Sequence, residues 1–201
     1  MLFRSGLVTL GSQAGDKLTL GELITAADDA GSTGILRIQS NMDLETLTTY
    51  ARGYSIEWLG GGTIASNTKF LNSGYLRLGL DRNTSTVFTS GMNAENGPSA
   101  LVLAGTLASS EEVSDATLLL GNVQLYDNSF LNTYGNTLSM GSLDSIETPH
   151  DLTLESGIGN GTVLIAGNVG GNKGTPSVLE GLDLTTLGKL FINGEIGRAH
   201  V

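Results

Sequence analysis

Aliphatic side chains recur at every second position in short runs, as at Leu101 and Leu103 or Leu152 and Leu154, with Thr, Ser and Asp prominent between and around such runs. A period of two turns successive side chains to opposite faces, which predicts strands with one buried face. Three runs share one form, aliphatic, any, aliphatic, Ala or Asn, Gly, any, aliphatic: LVLAGTL from Leu101, VLIAGNV from Val163 and LFINGEI from Leu190. A shorter version appears as LTLGEL from Leu18, LLLGNV from Leu118 and LSMGSL from Leu138. The step from Leu118 to Leu138 is 20 residues, a spacing expected of stacked solenoid coils. One short strand per repeat cannot cover its own apolar stripe, so such coils must stack. Gly105, Gly121, Gly141, Gly167 and Gly194 follow strands and are the predicted corners, where positive φ favours glycine. The expectation is an all-β solenoid with coils over residues 35–194. The alternative, an antiparallel sandwich, is disfavoured because hairpin dipeptides are scarce.

One segment departs from this pattern. Leu20, Leu23, Ile24 and Ala27 follow helical spacing, Thr19 with Glu22 matches a capping box, and Gly31 can end a helix. These residues predict a short helix over Leu20–Ala30 that covers the open end of the first coil. Gly21 inside it, and Asp28 with Asp29 at its C-terminal end, work against that helix.

Composition narrows the function classes. The 201 residues include no Cys, which excludes disulfides and thiolate metal sites. A formal charge of −10 without a cluster of Lys and Arg argues against a nucleic-acid partner. No stretch approaches the roughly 18–20 apolar residues of a membrane-spanning helix. The two ends read differently from the rest. Ile196–Val201 resembles an in-frame translation of a common short-read sequencing adapter, and Leu2–Ser5 resembles the end of the opposite adapter. The natural stretch is therefore expected to run from Gly6 to about Gly194, as a single solenoid segment of something longer.

From Asp144 to Gly194 the chain resembles the strand repeats of filamentous-haemagglutinin-type and autotransporter passenger proteins. The matching elements are His150 to Leu154, the Gly-rich turn Gly157 to Gly161, Val163 to Val169, Gly170 with Gly171, and Leu182 to Thr186. The segment from Thr175-Pro176 departs from the pattern, and Asn41 to Asp115 fits it only in composition. Leu18 to Ile38 is similar to the helix-then-strand opening of many β-helical surface proteins. The resemblance implies a right-handed parallel β-helix within a large secreted or surface-displayed bacterial protein. It also implies an adhesive or structural role, no cofactor, and export through an outer-membrane transporter.

Candidate chemistry is sparse. Asp144, Glu147, His150 and Asp151 form the densest ionisable run, able in principle to do acid–base work or hold a cation, but equally a solvated corner. An enzyme reading, a β-helical polysaccharide lyase or glycoside hydrolase, would draw on Asp127, Asp144, Glu147 and Asp151, with two carboxylates roughly 5–9.5 Å apart for hydrolysis. Glu111, Glu112 and Asp115 read as a solvated turn, and they lack calcium-loop spacing. Gly167 to Lys173 is a near miss to a phosphate loop, and Gly157, Gly159 and Gly161 lack the helix a dinucleotide site needs. A carbohydrate-binding reading, with host-surface or extracellular polysaccharide as partner, would use Tyr50, Tyr54 and Trp58 as stacking rings. Tyr126, Phe130 and Tyr134 form a second aromatic set. No metal site is expected. A solenoid cut within its repeats is expected to self-associate through open strand edges.

Overall fold

The computed structural model describes residues 6–13, 15–25, 31, 33–146, 148–157, 161–170, 181–186 and 189–194. Its strands are β1 (Leu7–Leu10), β2 (Lys17–Ile24), β3 (Ile35–Ile38), β4 (Asn41–Thr48), β5 (Ser55–Trp58), β6 (Gly62–Ile64), β7 (Thr68–Lys69), β8 (Leu76–Leu78), β9 (Ser85–Phe88) and β10 (Met92–Asn93). They continue as β11 (Leu101–Ala108), β12 (Leu118–Leu119), β13 (Val123–Asn132), β14 (Leu138–Met140), β15 (Leu143–Ser145), β16 (Asp151–Gly157), β17 (Thr162–Ile165), β18 (Gly181–Thr186) and β19 (Lys189–Ile192). Every pairing between them is parallel, and each strand pairs with one from the coil before or after, so the chain winds as a β-solenoid of about seven turns. The antiparallel sandwich is thereby excluded.

The coils present three faces. Face one stacks β1, β3, β5, β8, β11, β13 and β15, while face two stacks β2, β4, β6, β9, β11, β13, β16 and β18. Face three stacks β7, β10, β12, β14, β17 and β19. β11 and β13 each run across the corner from face one to face two, and their register slips between Leu103 and Gly105 where they bend.

Parallel in-register stacking puts like residues above one another. On face one the inward column reads Val8, Leu36, Ile56, Leu76, Leu101, Val123, Leu143, Val169. On face three it reads Leu118, Leu138, Val163, Leu190. The 20-residue step read from the sequence is thus a direct ladder pair, Leu118 to Leu138. Each buried Leu, Ile or Val contributes roughly 1.5–3 kcal/mol, and the columns merge into one core that runs the length of the prism. Asn41 to Asp115, which matched the resembled repeats only in composition, winds in the same parallel stack, with Ile56 and Leu76 20 residues apart and Leu76 and Leu101 25 apart.

The predicted corner glycines are at corners, for two different reasons. Gly105 has φ +80 and Gly121 has φ +22, as positive φ requires. Gly121, Gly141, Gly167 and Gly194 instead share a crowded column: Gly141 N–H donates to Gly121 O at 2.7 Å, and Gly167 N–H to Gly141 O at 2.9 Å. A Cβ on Gly194 would fall on Gly167 O. Three of these four glycines lie outside the positive-φ region, so here it is the approach of backbone to backbone that selects glycine.

The expected helix is a correction. Leu20 to Ile24 belongs to strand β2, paired in parallel with β4, and 26–30 lie outside the described residues. β2 pairs Leu18, Leu20 and Leu23 with Met42, Leu44 and Leu47. The last two are three residues apart yet both buried, so the inward phase of the strand shifts after Leu44. A strand whose inward phase shifts therefore reproduces the three-residue spacing that reads as helical.

Candidate functional site

The aromatic candidates divide by burial. Trp58 is fully buried on face one, stacked between Ile38 and Leu78, and its Nε1 donates to Gly61 O at 2.8 Å. Tyr54 is also fully buried. Its hydroxyl lies 2.5 Å from Thr25 Oγ1 and accepts from Tyr50 N–H at 3.2 Å, fastening the corner before β5. Neither ring can meet a sugar, and Tyr50 is only half-buried. Tyr126 and Tyr134 are exposed and Phe130 half-buried, but β13 bends between Tyr126 and Phe130, so the three form no single platform.

The acidic candidates gather around the corner between faces one and two in the later coils. Asp144 is outward on β15 opposite Gln124, and one oxygen accepts from Ser145 N–H at 2.9 Å. Asp127 sits at the bend of β13, where its carboxylate accepts from Asn128 N–H at 2.7 Å and from Arg82 N–H at 3.0 Å. Both oxygens are thereby engaged in tying a loop of an earlier coil to this one, a structural duty. Asp151 begins β16, its N–H donating to Asn128 Oδ1 at 3.0 Å. Glu147 lies outside the described residues. His150 is half-buried, with Nε2 3.3 Å from Thr148 Oγ1, and Glu111, Glu112 and Asp115 are exposed on the turn between β11 and β12.

Asp151 has a partner that sequence reading missed. Asp183 on β18 faces outward opposite Thr153, and with Asp151, Leu152, Thr153 and Leu182 it lines a recess of about 430 Å³. Aligning Leu152-Thr153-Leu154 with Leu182-Asp183-Leu184 as equivalent rungs would have found it. Two carboxylates beside a hydroxyl are the minimum for acid–base work on a glycosidic bond. Among the described residues no three His, Asp or Glu converge as metal ligands.

The most organised polar cluster lies on the outward column of face one: Thr9, Arg37, Glu57, Arg77, Val102, Gln124 and Asp144. Glu57 is only 7% exposed although it points outward. Its carboxylate accepts from Arg37 Nε at 2.5 Å and from the Tyr75 hydroxyl. Burial by itself raises the Glu57 carboxyl, but these hydrogen bonds and the charges of Arg37 and Arg77 outweigh it and hold the group below its ordinary value. Burial and the Glu57 hydrogen bond together push Tyr75 up to about 12. Arg77 donates from Nε to Gly79 O at 3.2 Å and from Nη2 to Leu80 O at 3.1 Å, while its Cζ lies 3.9 Å from the centre of the Tyr126 ring. These residues were not singled out in the sequence. Their signal was present, since Arg37, Glu57 and Arg77 alternate in charge at the coil period of 20.

No protein family, curated protein or solved structure matches this chain.

Proposed function

We propose that this chain is a structural and adhesive segment of a large secreted or surface-displayed bacterial repeat protein, acting through its extended outer surface. The observation that carries the reading is the set of unbroken inward columns, such as Leu36 to Val169 on face one. They make a rod on which outward residues repeat at fixed spacing. Host surfaces or extracellular polysaccharides are the partners this reading calls for, and delivery through an outer-membrane transporter is part of it. The test is saturable retention of the full chain on immobilised host-cell surfaces and polysaccharides. No retention on any of them above an inert protein of equal charge would sink the adhesive role.

A second reading, a polysaccharide-cleaving enzyme, draws its support from the recess between Asp151 and Asp183. It expects release of reducing ends or unsaturated products from some polysaccharide, abolished in Asp151→Asn and Asp183→Asn. Turnover that survives both changes would dismiss that recess as the site.

A further inference from the structure

We propose that Asn96, in the turn between β10 and β11, is a site of intramolecular deamidation that loosens this corner as the chain ages. The reacting groups are the Asn96 side-chain amide and the backbone nitrogen of the next residue, Gly97. Coil packing is what requires glycine at 97: a Cβ there would fall on Phe70 O, with Leu71 Cα 3.0 Å away. The same missing side chain leaves the approach to Asn96 Cγ uncrowded. The turn is pinned at both ends, by Ala94 N–H donating to Leu119 O at 2.7 Å and Ser99 N–H to Gly74 O at 3.0 Å. Between these anchors Asn96 is exposed, and among the described residues no hydrogen bond engages its amide or the Gly97 N–H. Both groups can therefore meet without breaking a contact, and being neighbours in one chain they need no second molecule to attack. Buried Asn72 shows the opposite arrangement. Its Nδ2 donates to Tyr54 O at 3.3 Å and to Tyr75 O at 3.4 Å, and the nitrogen that would attack it, Ser73 N, donates to Arg52 O at 2.7 Å.

In the first step Gly97 N loses its proton to solvent base and bonds to Asn96 Cγ. The Cγ–Nδ2 bond breaks, and Nδ2 leaves as ammonia after taking one proton back from solvent. Water then opens the cyclic imide at one of its two carbonyl carbons. Opening at Cγ gives aspartate, and opening at the main-chain carbonyl gives isoaspartate. Either product carries a carboxylate, so the chain becomes one charge more negative than −10, and the new charge stands next to Glu95. Isoaspartate also routes the main chain through Cβ and Cγ, which adds a methylene between the anchors at Ala94 and Ser99. Gly97 is already against the Phe70–Leu71 backbone, so the longer turn cannot be absorbed there without displacing the coil beneath it.

The test ages the folded full chain at mildly alkaline pH and follows each asparagine by peptide mapping with mass spectrometry, which separates Asn96 from the same dipeptide at Asn160-Gly161 and Asn193-Gly194. An isoaspartyl methyltransferase identifies the isoaspartate product. The Asn96 peptide should convert at a rate within about tenfold of that in guanidinium-unfolded chain, whereas folding should slow Asn72 by more than that. The Asn96 rate should rise with pH, because the attacking nitrogen must lose a proton. Ageing should lower the thermal midpoint of the natural chain more than that of Asn96→Gln, in which the other two dipeptides age equally. An Asn96 peptide that stays intact in the folded chain while converting in the unfolded one would overturn the proposal. So would equal slowing of Asn96 and Asn72 on folding, or an equal loss of thermal stability in the natural chain and Asn96→Gln.

Discussion

Arg37 Nε lies 2.5 Å from Glu57 Oε2 across one rung of face one, and this contact fixes a carboxylate on the outer side of the prism almost out of reach of water. Because Glu57 titrates below its ordinary value of 4.5 in the folded chain, the stability it contributes is complete above the unfolded pKa and is lost as pH falls through the folded one. Glu57→Gln should cost about 1.5–3 kcal/mol at neutral pH, since it removes charge from hydrogen bonds made by Arg37 and Tyr75. Urea denaturation should also show it losing less further stability than the natural chain below pH 4.5. Parallel losses in the two proteins would show that this pair does not set the acid response.

Tyr75 gives the opposite sign. Its pKa rises from 10.0 to about 12 on folding, so its contribution is present below 10 and is lost as pH climbs between those values. Tyr75→Phe should flatten the fall in stability across that alkaline window, measured by the same denaturation series. An unchanged slope would contradict the assignment.

Gly105 and Gly21 make a matched pair of substitutions. Gly105 has φ +80, and a Cβ there would fall on Thr84 O. At Gly21 the nearest atom to such a Cβ is Glu45 Oε2 at 3.9 Å. Gly105→Ala should destabilise by about 2 kcal/mol or more, and Gly21→Ala by no more than about 0.5 kcal/mol. Thermal unfolding that ranks the two the other way would refute the corner geometry.

Trp58 is the chain's single tryptophan and is fully buried, so its fluorescence reports on the prism interior alone. Emission should be blue-shifted and resist iodide until the chain unfolds, and Trp58→Ala should cost about 3–5 kcal/mol. Ready quenching in the native state would return this ring to the list of sugar-stacking candidates.

Among the described residues β2 pairs only with β4 and β19 only with β17, leaving one ladder edge of each strand unpaired. Partly buried apolar residues lie at both places, Leu18 and Leu23 on β2, Leu190 and Ile192 on β19. Light scattering of the 201-residue chain should show an apparent mass that rises with concentration. A constant monomer mass at high concentration would mean that these edges are blocked.

The amino-acid order alone determined that Leu118 and Leu138 belong to equivalent strands, and that glycine marks the corners. Alternation and a 20-residue step are local facts that survive without any knowledge of neighbours. Other features needed the stacked coils. Leu20 and Leu23 read as helical because the inward phase shifts along the strand, and only the burial of their partners Leu44 and Leu47 in the stacked coil identifies that shift. The reason for Gly141 and Gly167 changed as well, from positive φ to backbone contact between coils. Asp151 and Asp183 share a recess, and Arg77 lies against Tyr126, although each pair is far apart along the chain. Such meetings follow from register, which accumulates coil by coil through steps that range from 20 residues, Ile56 to Leu76, to 30, Leu152 to Leu182. Unequal loops make that sum unreadable from spacing, whereas hydrogen bonding between neighbouring strands fixes it at every rung.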